Sequence, residues 1–252
     1  MRGGLMAGQH WSGNALLSPG FGVFRGVIGD SALHAHYAHQ LVLSLNGEIG
    51  VAFATGPLRA PGIAIPAGLA HCVCADEALL VYLDPLTPEG SALFTAPATA
   101  PMLLPEALCS RLLAAADQGQ PLRGVLRDAF GLPLPSSPDA RMAAVADALR
   151  TSMTGDGISR LQLAKLANLS PSRFSHWFVE QTGLPLRSYR KWLRLELALH
   201  QLAHRGNLTD AAHAAGFADS AHLSRTFREM FGQNPGALLH GIVLDSSFVQ
   251  AA

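Results

Sequence analysis

Apolar positions along this chain follow two different periods, and the change falls near its middle. From Phe21 to Leu83 they come as short runs, "FGVFRGVIG", "LVLSLNGEIGVAFATG", "GIAIPAG" and "ALLVYLDP", punctuated by Gly, Pro and Asn. Runs of strand length with turn residues about every 8–12 positions predict an antiparallel barrel or sandwich. Asn46-Gly47, set between two such runs, predicts a hairpin. Beyond Pro85 the spacing becomes helical. Leu108, Leu112 and Leu113, then Leu122, Val125, Leu126 and Phe130, predict two helices over 105–130, an apolar pair suited to a dimer interface. "GLPLPSSPD", Gly131 to Asp139, reads as a linker, and everything from Arg141 to about Leu239 reads as helix.

The helical part contains a near-repeat, "LQLAKLANLSPSRFSHWFVEQTGLP" and "TDAAHAAGFADSAHLSRTFREMFGQNP". In the first copy Ser159 and Gln162 form a capping box, and Asn168 supplies a residue tolerant of a left-handed turn. Ser170 then caps a second helix with Pro171 at its first position. Phe174, Trp177 and Phe178 form its inward stripe, and Gly183 ends it. The second copy assigns its caps to Thr209 and Asp219, its turn to Gly216, and its inward face to Leu223, Phe227 and Met230. Between the copies a long helix carries Tyr189, Trp192, Leu193, Leu195, Leu199 and Leu202. These are two helix-turn-helix units with small polar and cationic outer faces, which suit a DNA major groove.

Charge divides along the same line. Residues 1–140 carry six arginines, no lysine and ten acids, net −4, whereas 141–252 carry twelve cations and eight acids, net +4. Such a layout fits a sensing part joined to a nucleic-acid-binding part. Three cysteines, Cys72, Cys74 and Cys109, make no disulfide framework. No apolar core of signal-peptide type opens the sequence, and no run of about 18 apolar residues occurs. The expectation is a reduced, cytoplasmic protein without a membrane partner.

On these residues, 141–240 resembles the DNA-binding domain of AraC/XylS-type transcription regulators. The carrying segments are "LAKLANLSPSRFSHWFVEQTGLPLRSYRKWLRLELA" and "AAHAAGFADSAHLSRTFREMFGQNP", with A-x-x-x-G-F at Ala212 to Phe217, F-R-x-x-F-G from Phe227, and Pro235. The resemblance implies two recognition helices in successive major grooves. Base contacts would come from Ser172, Ser175 and His176, then from Ala221, His222 and Arg225, with Ser220 on the same outer face. Arg173 and Arg228 would meet phosphates. Ala211, Asn234 and His176 depart from the residues usual in the family, and His176 makes the specificity of the first unit the part in question.

Residues 20–84 resemble the small cupin barrel that many such regulators carry. His34, His36, Gln40 in the place of the usual Glu, and Gly47 match its first motif, and Pro66, Gly68 and His71 its second. Strand alternation places His34 and His36 on one face. His39 then falls on the other and is expected to be exposed, and Cys72 and Cys74 point away from His71 as small buried thiols. The resemblance implies a metal or effector pocket at His34, His36, Gln40 and His71. A divalent metal, a small apolar or aromatic effector, and a core without ligand all remain open. The fold expected is α+β in two domains, a small cupin-like β-barrel with flanking helices and an all-α domain with two helix-turn-helix units. Boundaries are 1–130 for the sensor and dimerisation domain, 131–140 for the linker, 141–240 for the DNA-binding domain and 241–252 for a C-terminal tail. The function expected is transcription regulation rather than catalysis. Its partners are promoter DNA, a small-molecule effector, RNA polymerase in the case of an activator, and a second copy of the chain. The rival class is a metal-dependent cupin enzyme with an appended helical domain.

Overall fold

The computed structural model describes residues 11–29, 31–94, 98–132, 140–152, 157–205, 207–236 and 241–245. The predicted linker falls mostly on 133–139, outside the described residues. The N-terminal part contains β1 (Ser12–Ser18), β2 (Phe21–Val27), β3 (His39–Ser44), β4 (Ile49–Phe53), β5 (Gly56–Ala60), β6 (Gly62–Ile65), β7 (His71–Cys74) and β8 (Glu77–Leu83). After them come α1 (Pro88–Leu93), β9 (Met102–Leu103), α2 (Glu106–Asp117) and α3 (Leu122–Ala129). The helical part contains α4 (Ala140–Thr151), α5 (Arg160–Leu166), α6 (Pro171–Thr182), α7 (Leu186–Arg205), α8 (Leu208–Ala214) and α9 (Ser220–Phe231). A last strand, β10 (Ile242–Asp245), follows.

The strands form two sheets, one ordered β10-β1-β2-β8-β3-β6-β9 and the other β5-β4-β7. They pack face to face without hydrogen-bonded closure among the described residues. Ile49, Val51, Phe53 and Val73 of the small sheet meet Phe24, Val42, Ile63, Ile65 and Leu80 of the large one. The opposite face of the large sheet carries Leu41, Leu43, Leu79, Val81 and Leu83, and these meet Leu108, Leu112, Leu122 and Leu126 of α2 and α3. A sheet covered on both sides needs strands apolar at every position, and β3 is buried along its whole length.

This packing bears on two expectations. The inward faces of α2 and α3 are buried against the sheet within the chain, so they are core before they are surface. Asn46-Gly47 does not close a hairpin, because β3 pairs with β6 and β8 while β4 pairs with β5 and β7. The turn, with Gly47 at φ 94°, instead carries the chain from one sheet to the other.

Two clusters build the helical part. Met142, Val145, Leu149, Leu163, Phe174, Phe178, Tyr189 and Leu193 join α4, α5, α6 and the first half of α7. Trp192, Leu195, Leu199, Leu202, Ala211, Phe217, Leu223, Phe227 and Met230 join the rest of α7 to α8 and α9. Neither is closed to the barrel, since Leu86 enters the first and Ala38 the second. The tail supplies a further link that the sequence reading leaves out: β10 pairs in parallel with β1, Ile242 opposite Gly13 and Asp245 opposite Leu16.

Candidate functional site

Each recognition helix is set by local chemistry. Ser159 Oγ accepts from Gln162 N–H at 3.2 Å and Gln162 Oε1 accepts from Ser159 N–H at 2.8 Å, the reciprocal pair that opens α5. Asn168 turns the chain at φ 54°, and Ser170 accepts from Arg173 N–H to start α6. Gly183, at φ 72°, ends it. In the second unit the cap of α8 is Asn207, not Thr209. Its amide oxygen accepts from the N–H groups of Thr209 (2.9 Å) and Asp210 (3.4 Å), one residue before the helix begins at Leu208. Asp219 accepts from His222 N–H at 2.6 Å and starts α9.

The expected DNA-facing residues lie on the outer surface of these two helices. Ser172, Arg173 and His176 are exposed on α6, and Ala221, Arg225 and Arg228 on α9. Ser175, Ser220 and His222 are half-buried. Ser175 donates its hydroxyl hydrogen to Pro171 O at 3.1 Å, and the His222 ring lies edge-on to Phe217. Trp177 is not fully inside. It is half-buried under the Arg141 guanidinium, 5.6 Å from its ring centre.

One surface hollow brings the two units together. Ser175 of α6 and His222 of α9 both line it, and its floor is Arg187, Arg190, Lys191 and Arg194 of α7. Those four fall at i, i+3, i+4 and i+7, a single cationic row opposite the buried face of the helix. Sequence reasoning took only the apolar half of this helix. The polar half carries the same period and was readable from it.

The three histidines converge, though not as strand neighbours. His34 and His36 precede β3, and an isolated bridge, with His34 N–H to His71 O at 3.0 Å and His71 N–H to His34 O at 2.9 Å, ties that segment to β7. One nitrogen from each of His34, His36 and His71 lies within 4.8 Å of the others, and all three rings are buried. Each Nδ1 faces a carbonyl two residues away: Ala32 O at 2.9 Å, Ala38 O at 3.0 Å and Leu69 O at 2.8 Å. Burial lowers the pKa of all three, His71 to about 4 and His36 well below its usual value, with the neighbouring rings adding to the effect. The rings are therefore neutral. With the proton on Nδ1, Nε2 presents a bare lone pair.

Gln40 completes the group. Its Oε1 lies 3.0 Å from His36 Nε2 and 2.9 Å from His71 Nε2, while its amide nitrogen donates to Tyr82 Oη at 3.1 Å. Three imidazole nitrogens and an amide oxygen, all acceptors, fit a first-row divalent ion. No Asp or Glu joins this group among the described residues.

Two neighbours of the cluster differ from expectation. His39 is buried, because the outer face of β3 is covered; its Nδ1 accepts from Ala67 N–H at 3.0 Å and its ring packs on Phe94. Cys72 and Cys74 do point away from His71, but that side of β7 is open, leaving Cys72 half-buried and Cys74 exposed.

His34 and Gln40 also line a small cavity between the sheet and the helices, about 90 Å³ in volume. Trp11, Phe24 and Leu80 line it from the sheet, and Trp192, Leu199 and Phe231 from the helices. The indole nitrogens of Trp11 and Trp192 are buried there with no hydrogen-bond partner.

Residues 163–241 match the family described as helix-turn-helix domain. The chain is 29% identical over 126 residues to the HTH-type transcriptional regulator GlxA of Rhizobium meliloti (strain 1021), covering 50% of this chain and 37% of that protein. It is 36% identical over 80 residues to the HTH-type transcriptional activator RhaS of Escherichia coli (strain SE11), covering 31% of this chain and 29% of that one. The matched stretch is thus about a third of the length of either relative. Among solved structures, an apo point variant of ToxT from Vibrio cholerae strain SCE256 superposes over 89% of this chain and 98% of its own, with TM-score 0.63 and 8% identity. Unsaturated fatty acid bound wild-type ToxT from the same strain does so over 96% and 98%, with TM-score 0.55 and 11% identity. At such identities the likeness is one of fold, and it extends through both parts of the chain. A helix-turn-helix domain over 163–241 thus follows a β-rich N-terminal part, and the two together have the fold of ToxT.

Proposed function

We propose that this protein is a sequence-specific DNA-binding transcription regulator, with a sensing part over 1–130 and tandem DNA-reading units over 141–240. The observation that carries the reading is the shared hollow, where Ser175 and His222 of two different recognition helices flank one cationic row. Recognition helices in successive major grooves would leave that row against the intervening phosphates, where guanidinium groups bind independently of sequence. Arg225, exposed on α9, has the fork that fits guanine O6 and N7, and Arg173 stands at the N-terminal end of α6 where a phosphate would lie.

The effector that fits the cavity is a small, mainly apolar molecule carrying at least one hydrogen-bond acceptor. Its body would meet Phe24, Leu80 and Leu199, and its acceptor would relieve the indole N–H groups of Trp11 and Trp192. His34, His36, His71 and Gln40 would hold a divalent first-row ion, which would supply a Lewis-acid centre at the polar end of that cavity. A catalytic centre is the second reading, favoured by the same convergence of histidines. Turnover of candidate substrates with added Fe(II) is its test.

The regulator reading is tested by selecting duplexes from a random pool with the full-length protein. Two conserved half-sites about one helical turn apart are expected, and a pool without preference overturns the reading. Within the selected site, Arg225→Ala should cost about 1–3 kcal/mol and relax one base position. Arg173→Ala should weaken every sequence alike and lower the salt slope by about 1.

A further inference from the structure

The segment 31–38 belongs to two structures at once. On one side it carries His34 and His36 of the histidine group. On the other it is the seat of the second helix-turn-helix unit. Ala32 N–H donates to Gly232 O at 3.2 Å, the His36 ring packs against Trp192 and Phe231, and Ala38 is fully buried in the cluster that joins α7, α8 and α9. Tyr37, next to His36, lines the cationic hollow. The contact is close enough to require glycine at the end of α9. A Cβ on Gly232 would come within 2.6 Å of Ala32 O and 3.1 Å of His34 Nδ1.

We infer that a divalent first-row metal ion binds reversibly at His34, His36, His71 and Gln40, and that its occupancy sets how firmly segment 31–38 holds α9 and with it the second DNA-reading unit. The inference rests on the reading of the histidine group as a metal centre and adds what the ion controls. Reversibility follows from Gln40. With its oxygen inward, as here, two Nε2 lone pairs face an oxygen lone pair across about 3 Å, an arrangement that a cation between them stabilises. With the amide turned over, its nitrogen would donate to His36 and His71, and the Tyr82 hydroxyl would donate to its oxygen. His36, His71 and Tyr82 would then all be satisfied without an ion. A glutamate in that place could not donate to the empty site. The turned amide suits the empty site and the inward oxygen the occupied one, which is what a sensor needs and a permanent metal centre does not.

Transmission follows from the covalent path. An ion drawing the rings of His34 and His36 toward His71 fixes the backbone on either side of them, and that backbone carries the Ala32–Gly232 hydrogen bond and Ala38. Charged and titratable groups near the seat are few. Glu196 of α7 and Gln233 line the same cavity, and Lys191 pairs with Glu229 on the outer surface.

The test uses full-length, untagged protein stripped with a chelator. Cobalt(II) is titrated by its visible absorption, with zinc(II) as competitor, and amide hydrogen exchange over residues 220–232 is then compared with and without the ion. One ion per chain and exchange slowed about fivefold or more on α9 are expected. His71→Ala removes a ligand outside segment 31–38 and should abolish both effects. Because Gly232→Ala would crowd His34 Nδ1 as well as Ala32 O, the wild-type comparison with and without the ion is what decides the coupling where His71→Ala fails to fold. Absence of binding to the stripped wild-type protein overturns the metal centre. Binding with unchanged exchange on α9 overturns the coupling alone. Neither readout involves DNA, and duplex selection by the stripped protein tests the regulator reading separately.

Discussion

The two helical clusters are built alike and attached to the β-rich part in opposite ways. At the first, the joint is polar. Asp84 at the end of β8 receives Arg150 of α4 at 2.9 Å and the Tyr189 hydroxyl of α7 at 2.7 Å, with Leu86 N–H on its other oxygen at 2.8 Å. Close by, Glu196 of α7 accepts from Gly20 N–H in the β1–β2 turn at 2.5 Å. At the second unit the joint is apolar and aromatic, with Ala38, Tyr37, Leu17 and Tyr82 meeting Trp192, Phe231 and their neighbours. A charged joint has one preferred geometry and a large penalty for losing a partner, whereas an apolar joint tolerates sliding until a directional contact fixes it. The first unit is thus the anchored one, and the second is held by the joint that tolerates sliding.

The largest expected effect comes from breaking the anchor. Asp84→Ala leaves Arg150 and Tyr189 without their acceptor in a buried place, and should cost about 3 kcal/mol of stability in urea denaturation. Trp177 and Trp192, one in each helical cluster, give the fluorescence readout. Loss of less than about 1 kcal/mol would mean that both joints are loose.

The next effect is a pH dependence at the polar joint, opposite in sign to that of the buried histidines at the apolar one. Desolvation, with Asp84 adding to it, pushes the half-buried Glu196 carboxyl up to about 7, against the pull of Gly20 N–H, Arg150 and Arg123. The unfolded chain ionises this group near the ordinary carboxylate value of 4.5, before the folded protein does. Its contribution to stability is therefore complete in acid and falls as pH rises from about 4.5 to about 7, by no more than about 3 kcal/mol. The buried histidines gain stability over the same range, so Glu196→Gln should make stability rise more steeply there than in the wild type. An unchanged slope in the variant would place its origin elsewhere.

The smallest effect sharpens the contrast at the outer surface. Lys191 of the cationic row pairs with Glu229 of α9 at 2.6 Å, but the two side chains are 36% and 63% exposed. Lys191→Ala should change stability by less than about 1 kcal/mol while weakening duplex binding across all sequences. A loss confined to stability would remove Lys191 from the DNA-facing row.

What could be read ahead of the structure was whatever is encoded within one turn of helix. Ser159 with Gln162, Asn168, Ser170 with Pro171, Gly183, Gly216 and Asp219 all act on backbone groups within four residues, and each does so here. Pairings between distant segments were not legible from pattern alone. Asn46-Gly47 carries a hairpin signal, yet the partners of β3 lie beyond it in the chain, and only burial on both faces decides that. His39 was misplaced for the same reason, since alternation gives a side but not what covers it. The meeting of His34 with His71 came from resemblance to a known motif, not from spacing. Nothing in "IVLD" marks it as the companion of β1, because a four-residue apolar run carries no address.

That last strand bears on how the molecule can be taken apart. The part that reads DNA is commonly thought of as portable, something to be cut out and fused elsewhere. Here its distal end is stitched into the edge of the other part, where Gly241 lies so near Trp11 that a Cβ would come within 2.0 Å of the carbonyl oxygen. Cutting at residue 140 would strand β10 with one half and bare the edge of β1 on the other, an invitation to sticky, self-pairing fragments. A chimera made from this protein should carry its border strand along with the sheet that it borders.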